Sequence, residues 1–326
     1  MRKKWILIIP LLILVAYFAG PAPSKPSLNT ALPVVPSQPG ALDAYIQAAE
    51  SAHKVKPDNQ ARIIWADSSQ KGMTDYSIVY LHGFGASQGE GDPVHRNIAS
   101  RFHCNLYLPR LEGHGLDTTD QFIDFSAERY WESAKEALAV GKQIGKKVIL
   151  MGTSTGGTLA LLLAADYPEV HSLVLLSPNI EINDPAAWVL NNHWGLQVAR
   201  AVVNSDYIES KDQRALYKQY WYSKYRIEGA AQLQELLEET MVESNFQKIR
   251  QPVLMLYYYK DKVHQDSVVR VDAMLKMMDQ LGTPPASKFS KAMPETGNHV
   301  IGSYIKSGDV KGVEDEISRF LTQVIK

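Results

Sequence analysis

Cysteine is almost absent: Cys104 is the only one in 326 residues. An intramolecular disulfide is therefore impossible, and a cysteine-based zinc site is excluded. Net charge is almost absent too. Thirty-four Lys and Arg against 35 Asp and Glu leave −1, so no global field draws the chain to nucleic acid or to an anionic surface. Neither G-x-G-x-x-G nor G-x-x-x-x-G-K-S/T occurs, and no His-x-x-x-His pair or Cys/His ligand pair is found. Nucleotide binding has no support in the sequence, and neither a cofactor nor a metal is expected. No internal repeat is visible. What remains is an ordinary globular composition, 45% apolar, with ample material for a sizeable core.

The N-terminus speaks to location. Arg2, Lys3 and Lys4 precede an apolar run from Trp5 to Gly20, interrupted only by Pro10. A positive flank followed by an apolar stretch is the pattern of an export signal. The run is slightly long for a signal core and slightly short for a full span. Tyr17 and Phe18 spoil the small-residue positions that cleavage needs, and Pro21 and Pro23 crowd the rest. The sequence thus favours an uncleaved signal anchor over a cleaved peptide, with the remaining domain outside the cytoplasm, in the cell envelope. Residues 21–40 hold Pro21, Pro23, Pro26, Pro33, Pro36 and Pro39. Proline fixes φ and removes donors, so an extended, unpacked tether is expected there. The globular domain is expected over 41–326.

Beyond the tether, β-rich apolar runs alternate with helical patterns. Strands are expected at Arg62–Trp65, Ser77–Leu81, Asn105–Leu108, Lys147–Met151, Ser172–Leu176 and Pro252–Tyr257, with a weaker one at Ser287–Ser290. Near-continuous apolar strands suit a parallel sheet covered on both faces. Helices are expected from a Ser126 cap through Ile144, at Ser154–Asp166, at Ser267–Leu281 and at Val313–Ile325. The alternation predicts an α/β fold with a mostly parallel sheet. Between Ser177 and Gln251 no strand is convincing. That stretch reads as a helical insertion, rich in aromatics such as Trp188, Trp194, Tyr217, Trp221 and Tyr225.

Gly152-Thr153-Ser154-Thr155-Gly156 ends the expected fourth strand and opens a helix. This is G-x-S-x-G in a strand–turn–helix setting. By composition the bare pattern arises in roughly one chain in ten of this size, so its position carries the weight. A serine on a sharp turn sits in a strained backbone conformation, and glycines two residues either side relieve the collision. Ser154 is the candidate nucleophile. Leu81-His82-Gly83-Phe84-Gly85 follows the second strand. The backbone N–H groups of Phe84 and Thr155 are then candidate oxyanion donors. His82 and His114 read as loop-bracing residues.

A serine hydroxyl needs a base, and the base needs an orienting carboxylate. In chain order after Ser154, Asp261 is the expected acid and His299, in Gly297-Asn298-His299, the expected base. Rival acids are Asp266, read as a cap for the next helix, and Asp272. Rival bases are His264 and His193.

With these motifs together, the chain resembles the α/β-hydrolase superfamily, in its monoacylglycerol-lipase-like and serine-aminopeptidase-like branch. His82 to Gly85, Leu111-Glu112-Gly113-His114-Gly115, Gly152 to Gly157, Lys260-Asp261-Lys262-Val263 and Gly297 to His299 carry the likeness. Thr153 departs from the His, Tyr or Glu that many members place before the nucleophile. The resemblance implies that residues 178–250 form a helical cap over the site. Its aromatics either line an acyl pocket or pack the cap onto the sheet domain. The function expected is a serine hydrolase acting on a small ester, acyl lipids among the candidates. The alternatives are an aminopeptidase that uses Glu235, Glu238 and Glu239 to hold a free amine, and a non-catalytic envelope module on the same scaffold.

Overall fold

The computed structural model describes residues 2–325, with side chains from Ile9 onward. The side chains of Arg2, Lys3, Lys4 and Trp5 lie outside the described residues. Seven strands form one sheet: β1 (Arg62–Ile64), β2 (Thr74–Leu81), β3 (Asn105–Leu108), β4 (Gly145–Thr153), β5 (Ser172–Leu176), β8 (Val253–Tyr257) and β9 (Lys288–Ala292). Their order is β1-β3-β2-β4-β5-β8-β9. Only β1 runs antiparallel to its neighbour.

Alternation within the strands divides the core. Val79 and Leu81 of β2, with Val148 and Leu150 of β4, point to one face, while Ile78, Tyr80, Ile149 and Met151 point to the other. All eight are buried. Helices cover both faces because both are apolar. Helices α4 (Ala127–Ile144), α5 (Thr155–Asp166) and α10 (Val271–Gln280) supply Trp131, Leu159 and Met274 to the first. Helices α3 (Val94–Arg101) and α11 (Val310–Val324) supply Ile98 and Phe320 to the second. Each such side chain contributes about 1.5–3 kcal/mol by leaving water. Ser126 caps α4 by accepting from the Arg129 amide, the role expected from its sequence position.

Two expectations need correction. The proline-rich stretch is extended, but it is strapped across α4 and not free. Trp131 Nε1–H donates to the Asn29 carbonyl at 2.6 Å, and the fully buried Lys135 Nζ donates to Asn29 Oδ1 at 2.6 Å and to the Ala31 carbonyl at 2.9 Å. Proline-fixed backbone leaves its carbonyls unpaired, and α4 and Tyr167, just past the end of α5, supply donors to them, Tyr167 O–H to Thr30 among these. The insertion between β5 and β8 is likewise not all helix. It carries α6 (Gly195–Val203), α7 (Ala215–Tyr220), α8 (Ile227–Thr240) and α9 (Glu243–Phe246), and also an antiparallel pair, β6 (Tyr207–Glu209) with β7 (Lys224–Arg226). The strands are three residues long, too short for a periodic signal. The remaining helices are α1 (Arg2–Phe18) and α2 (Pro39–Ser51). Among the described residues no helix is long and apolar enough to cross a membrane.

Candidate active site

Strand register brings the tips of β2, β4 and β5 level, with Leu81 opposite Gly152 and Thr153 opposite Leu176. The chain turns at once from β4 into α5, and Ser154 sits on that turn at φ 54°, ψ −122°. Holding a non-glycine residue there costs about 1–3 kcal/mol. The Ser154 amide donates to the Leu176 carbonyl at 2.9 Å, and its own carbonyl accepts from the Asn179 amide at 2.9 Å. The flanking glycines are required by contact. A Cβ on Gly156 would lie 1.9 Å from the Leu81 carbonyl oxygen, and one on Gly152 would lie 2.4 Å from the Gly156 oxygen.

His299 lies on the loop after β9, nearly buried. Its Nδ1–H donates to Asp266 Oδ2 at 2.6 Å. Burial works against the imidazolium, but the Asp266 charge and hydrogen bond outweigh it, with Glu90 adding, so the His299 pKa is raised. Asp266 is itself buried, which opposes its ionisation, yet His299 and two backbone amides hold its pKa below the usual carboxylate range. Those amides, Val268 N–H and Val269 N–H, donate to Oδ1 at 2.8 and 3.0 Å. One oxygen of Asp266 therefore caps a turn, as its sequence position suggests, and the other orients the histidine.

Asp261, the expected acid, is not at this site. It is exposed on a loop and accepts from the Val263 and His264 amides at 2.8 Å and from His264 Nδ1. Those bonds hold its pKa down at about 2. The reason is an excursion of the chain after β8. Tyr259 pairs with Gln265, and the Lys260 amide donates to the His264 carbonyl at 2.8 Å. This small hairpin carries residues 260–264 away and returns the chain to the sheet end at Asp266. His264 is exposed beside Asp261, and His193 bonds the Gly20 carbonyl, so neither rival base reaches Asp266.

Ser154 and His299 line one cavity of about 390 Å³, with Phe84, Thr155, Glu90, Tyr217, Trp221 and Tyr225 also in its wall. Among the described residues no hydrogen bond joins Ser154 Oγ to His299. Such bonds commonly tighten only once substrate is seated. The amides of Phe84 and Thr155 make no hydrogen bond to other described residues, so both are free to donate. His82 braces the loop: its Nε2 accepts from the Leu111 amide at 3.1 Å and its Nδ1–H donates to the Gly83 carbonyl at 3.0 Å. Burial pushes its pKa down to about 4. His114 is buried and held neutral in the same way.

The cap aromatics divide by residue. Tyr217 and Trp221 stack with centroids 5.2 Å apart and, with Tyr225, face the cavity. Tyr222 packs the cap down by donating to the Gly113 carbonyl at 2.9 Å, and Trp188 is exposed. Sequence reasoning missed Glu90 altogether. Its one signal is a carboxylate flanked by glycines, Gly89-Glu90-Gly91, just after the His82–Gly85 loop.

The family model described as the alpha/beta hydrolase family matches residues 78–303. The chain belongs to the alpha/beta hydrolase family. Within it, the chain is similar to human serine hydrolase BPHL, 26% identical over 199 residues, which is 59% of this chain and 65% of that protein. It is also similar to the thermostable monoacylglycerol lipase of Bacillus sp. (strain H-257), 27% identical over 190 residues, 57% of this chain and 70% of that one. The match thus spans about two thirds of these relatives' length. Among solved structures of this alpha/beta hydrolase fold, that of the metagenome-derived lipolytic enzymes LipS and LipT superposes with a TM-score of 0.64 at 16% identity, covering 82% of this chain and 99% of the other. A soluble variant of monoglyceride lipase from Saccharomyces cerevisiae gives 0.58 at 13%, covering 82% and 92%. At such identities these structures speak for the fold alone.

Proposed function

We propose that this alpha/beta hydrolase cleaves carboxylic esters through Ser154, His299 and Asp266. The buried His299–Asp266 pair at 2.6 Å, sharing a cavity with a serine on a strained turn, carries the reading. Ser154 Oγ attacks the ester carbonyl as its proton passes to His299 Nε2. Asp266 holds Nδ1–H, fixing the tautomer and stabilising the imidazolium. The Phe84 and Thr155 amides receive the negative charge on the carbonyl oxygen, a contribution of about 3–4 kcal/mol per donor. Collapse breaks the ester C–O bond, and the leaving alcohol takes the proton from His299. Water then attacks the acyl-enzyme, giving its proton to His299 and returning Ser154 with the acid product. No metal or cofactor enters this scheme.

The cavity wall of Phe84, Tyr217, Trp221, Tyr225 and Leu233 suits an apolar acyl chain. The test is a series of nitrophenyl esters of increasing acyl length, with an amino-acid anilide as control. Turnover should rise with chain length and then fall where the pocket ends, and should vanish in Ser154→Ala. Hydrolysis of the anilide alone would overturn the ester reading. No observation favours the aminopeptidase alternative through its expected carboxylates. Glu235 and Glu238 bond Asn191, and Glu239 pairs with Lys25; none lines the cavity.

We further propose that the N-terminal segment holds the protein at a membrane surface. Leu11 to Val15 and Phe18 are all more than half exposed, an apolar area that water disfavours. Full-length protein should float with lipid vesicles, and protein lacking residues 1–20 should remain in the soluble fraction. Equal flotation of the two would contradict this.

A further inference from the structure

The segment after the Phe84 loop drives a carboxyl into the wall of the active site. Glu90 sits on a short turn, Gln88–Gly91, and is buried. Its neighbours are glycines because nothing larger fits. A Cβ on Gly89 would lie 2.4 Å from Tyr220 Cγ of the cap, and one on Gly91 would lie 2.4 Å from Tyr80 Cζ of β2. The turn is wedged between cap and sheet with Glu90 at its tip. Glu90 Oε2 accepts the Gly83 amide at 2.5 Å. A Cβ on Gly83 would meet Glu90 Oε1 at 2.8 Å and Ser154 Cβ at 3.1 Å, and the carboxyl and the nucleophile line the same cavity.

Burying a carboxyl is costly, and its partners show what it holds. Besides the Gly83 amide, the Trp221 and Tyr80 side chains lie near enough to favour its ionised form. Trp221 belongs to the cap. Tyr80 O–H is in turn hydrogen-bonded to Thr153 Oγ1 at 2.9 Å, and Thr153 immediately precedes the nucleophile. The Gly83 peptide leads directly into Phe84, whose amide is one of the two candidate oxyanion donors. Glu90 holds the N–H of Gly83 and His82 Nδ1–H holds its carbonyl at 3.0 Å, so both peptides flanking Gly83 are fixed, the second of them carrying the Phe84 amide.

We propose that Glu90 is a positioning residue of this active site, helping His82 hold the Gly83–Phe84 peptide in place for the oxyanion and setting a carboxyl in the wall of the cavity that His299 also lines. This rests on the ester-hydrolase reading above. Around Glu90 the titratable groups are Tyr80 of β2, Tyr130 of α4, Tyr217 of the cap and His299; His299 faces Asp266 and Glu90. Burial lifts the Glu90 pKa to about 7 against the pull of Gly83 and His299. The two groups attract, so an ionised Glu90 defers loss of the proton from His299.

The test compares wild type, Glu90→Gln and Glu90→Ala on one neutral ester. Glutamine keeps an acceptor for Gly83 but carries no charge. Glu90→Gln should hold kcat within about tenfold while the acidic limb of its kcat/KM profile moves to lower pH. Glu90→Ala should lose about 100-fold in kcat with KM little changed, as expected for a mispositioned donor. If Glu90→Ala does not fold, the pH shift in Glu90→Gln decides. An unmoved acidic limb in Glu90→Gln would overturn the proposal. So would a loss in both variants confined to KM, or one confined to amino-acid esters, since either makes Glu90 a substrate-binding group. A wild type without ester turnover would instead sink the hydrolase reading itself.

Discussion

His299 can act as a base only while its Nδ1–H is held, because a free ring would sample both tautomers and several orientations. Asp266 is the carboxylate that holds it. Asp266→Asn should therefore lower kcat by roughly 10³–10⁴-fold. Asp261→Asn touches only an exposed turn and should change kcat less than about threefold. Steady-state ester kinetics on the two variants check this, and comparable losses in both would contradict the assignment. The pH dependence follows from the same pair. His299 must be neutral to accept the Ser154 proton, and its pKa is raised above the ordinary value. Activity should therefore rise with pH through a midpoint above the ordinary histidine value of about 6.5. In Asp266→Asn that midpoint should fall, because the charge favouring the imidazolium is gone.

At the scale of elements, the elbow between β4 and α5 leaves no room for a side chain beside Ser154. A Cβ on Gly156 would meet backbone oxygen at 1.9 Å, and a backbone carbonyl cannot swing aside as a side-chain end can. Gly156→Ala should cost upwards of about 2 kcal/mol, readable as a lower Tm together with lost activity. An unchanged Tm would mean that the turn is looser than described. The strands and the elbow were legible because buried parallel strands are near-continuously apolar and because glycine spacing around the serine is a steric demand. Which carboxylate reaches His299 was not legible. Distance along the chain after β8 suggested Asp261, but the Tyr259–Gln265 hairpin inserts residues that leave the site, and nothing in their composition marks the detour. Glu90 was invisible for a related reason. Its meaning depends on Tyr220 and Trp221 of the cap, far away in sequence, and on the way β2 sets Tyr80 against the turn.

Across the whole molecule, the proline-rich strap ties the N-terminal region to the sheet domain through α4. Removing residues 1–20 leaves its bonds to Trp131, Lys135 and Tyr167 in place. Removing residues 1–37 strips the buried Lys135 of Asn29 and Ala31, leaving Glu132 as its one partner among the described residues, and orphans the Trp131 N–H. The longer truncation should lose about 3 kcal/mol or more and the shorter one almost nothing, as read by thermal or urea unfolding. Equal stability of the two would show that the strap is dispensable. Sheet and cap converge on one cavity, and the account stands on the chemistry of a single oxygen there. Treatment of the intact protein with a fluorophosphonate, followed by peptide mass mapping, reads it directly. The expected result is one adduct per chain, on Ser154, absent in Ser154→Ala and much slower to form in Asp266→Asn. A wild type that stays unlabelled, or an adduct that persists in Ser154→Ala, would contradict it.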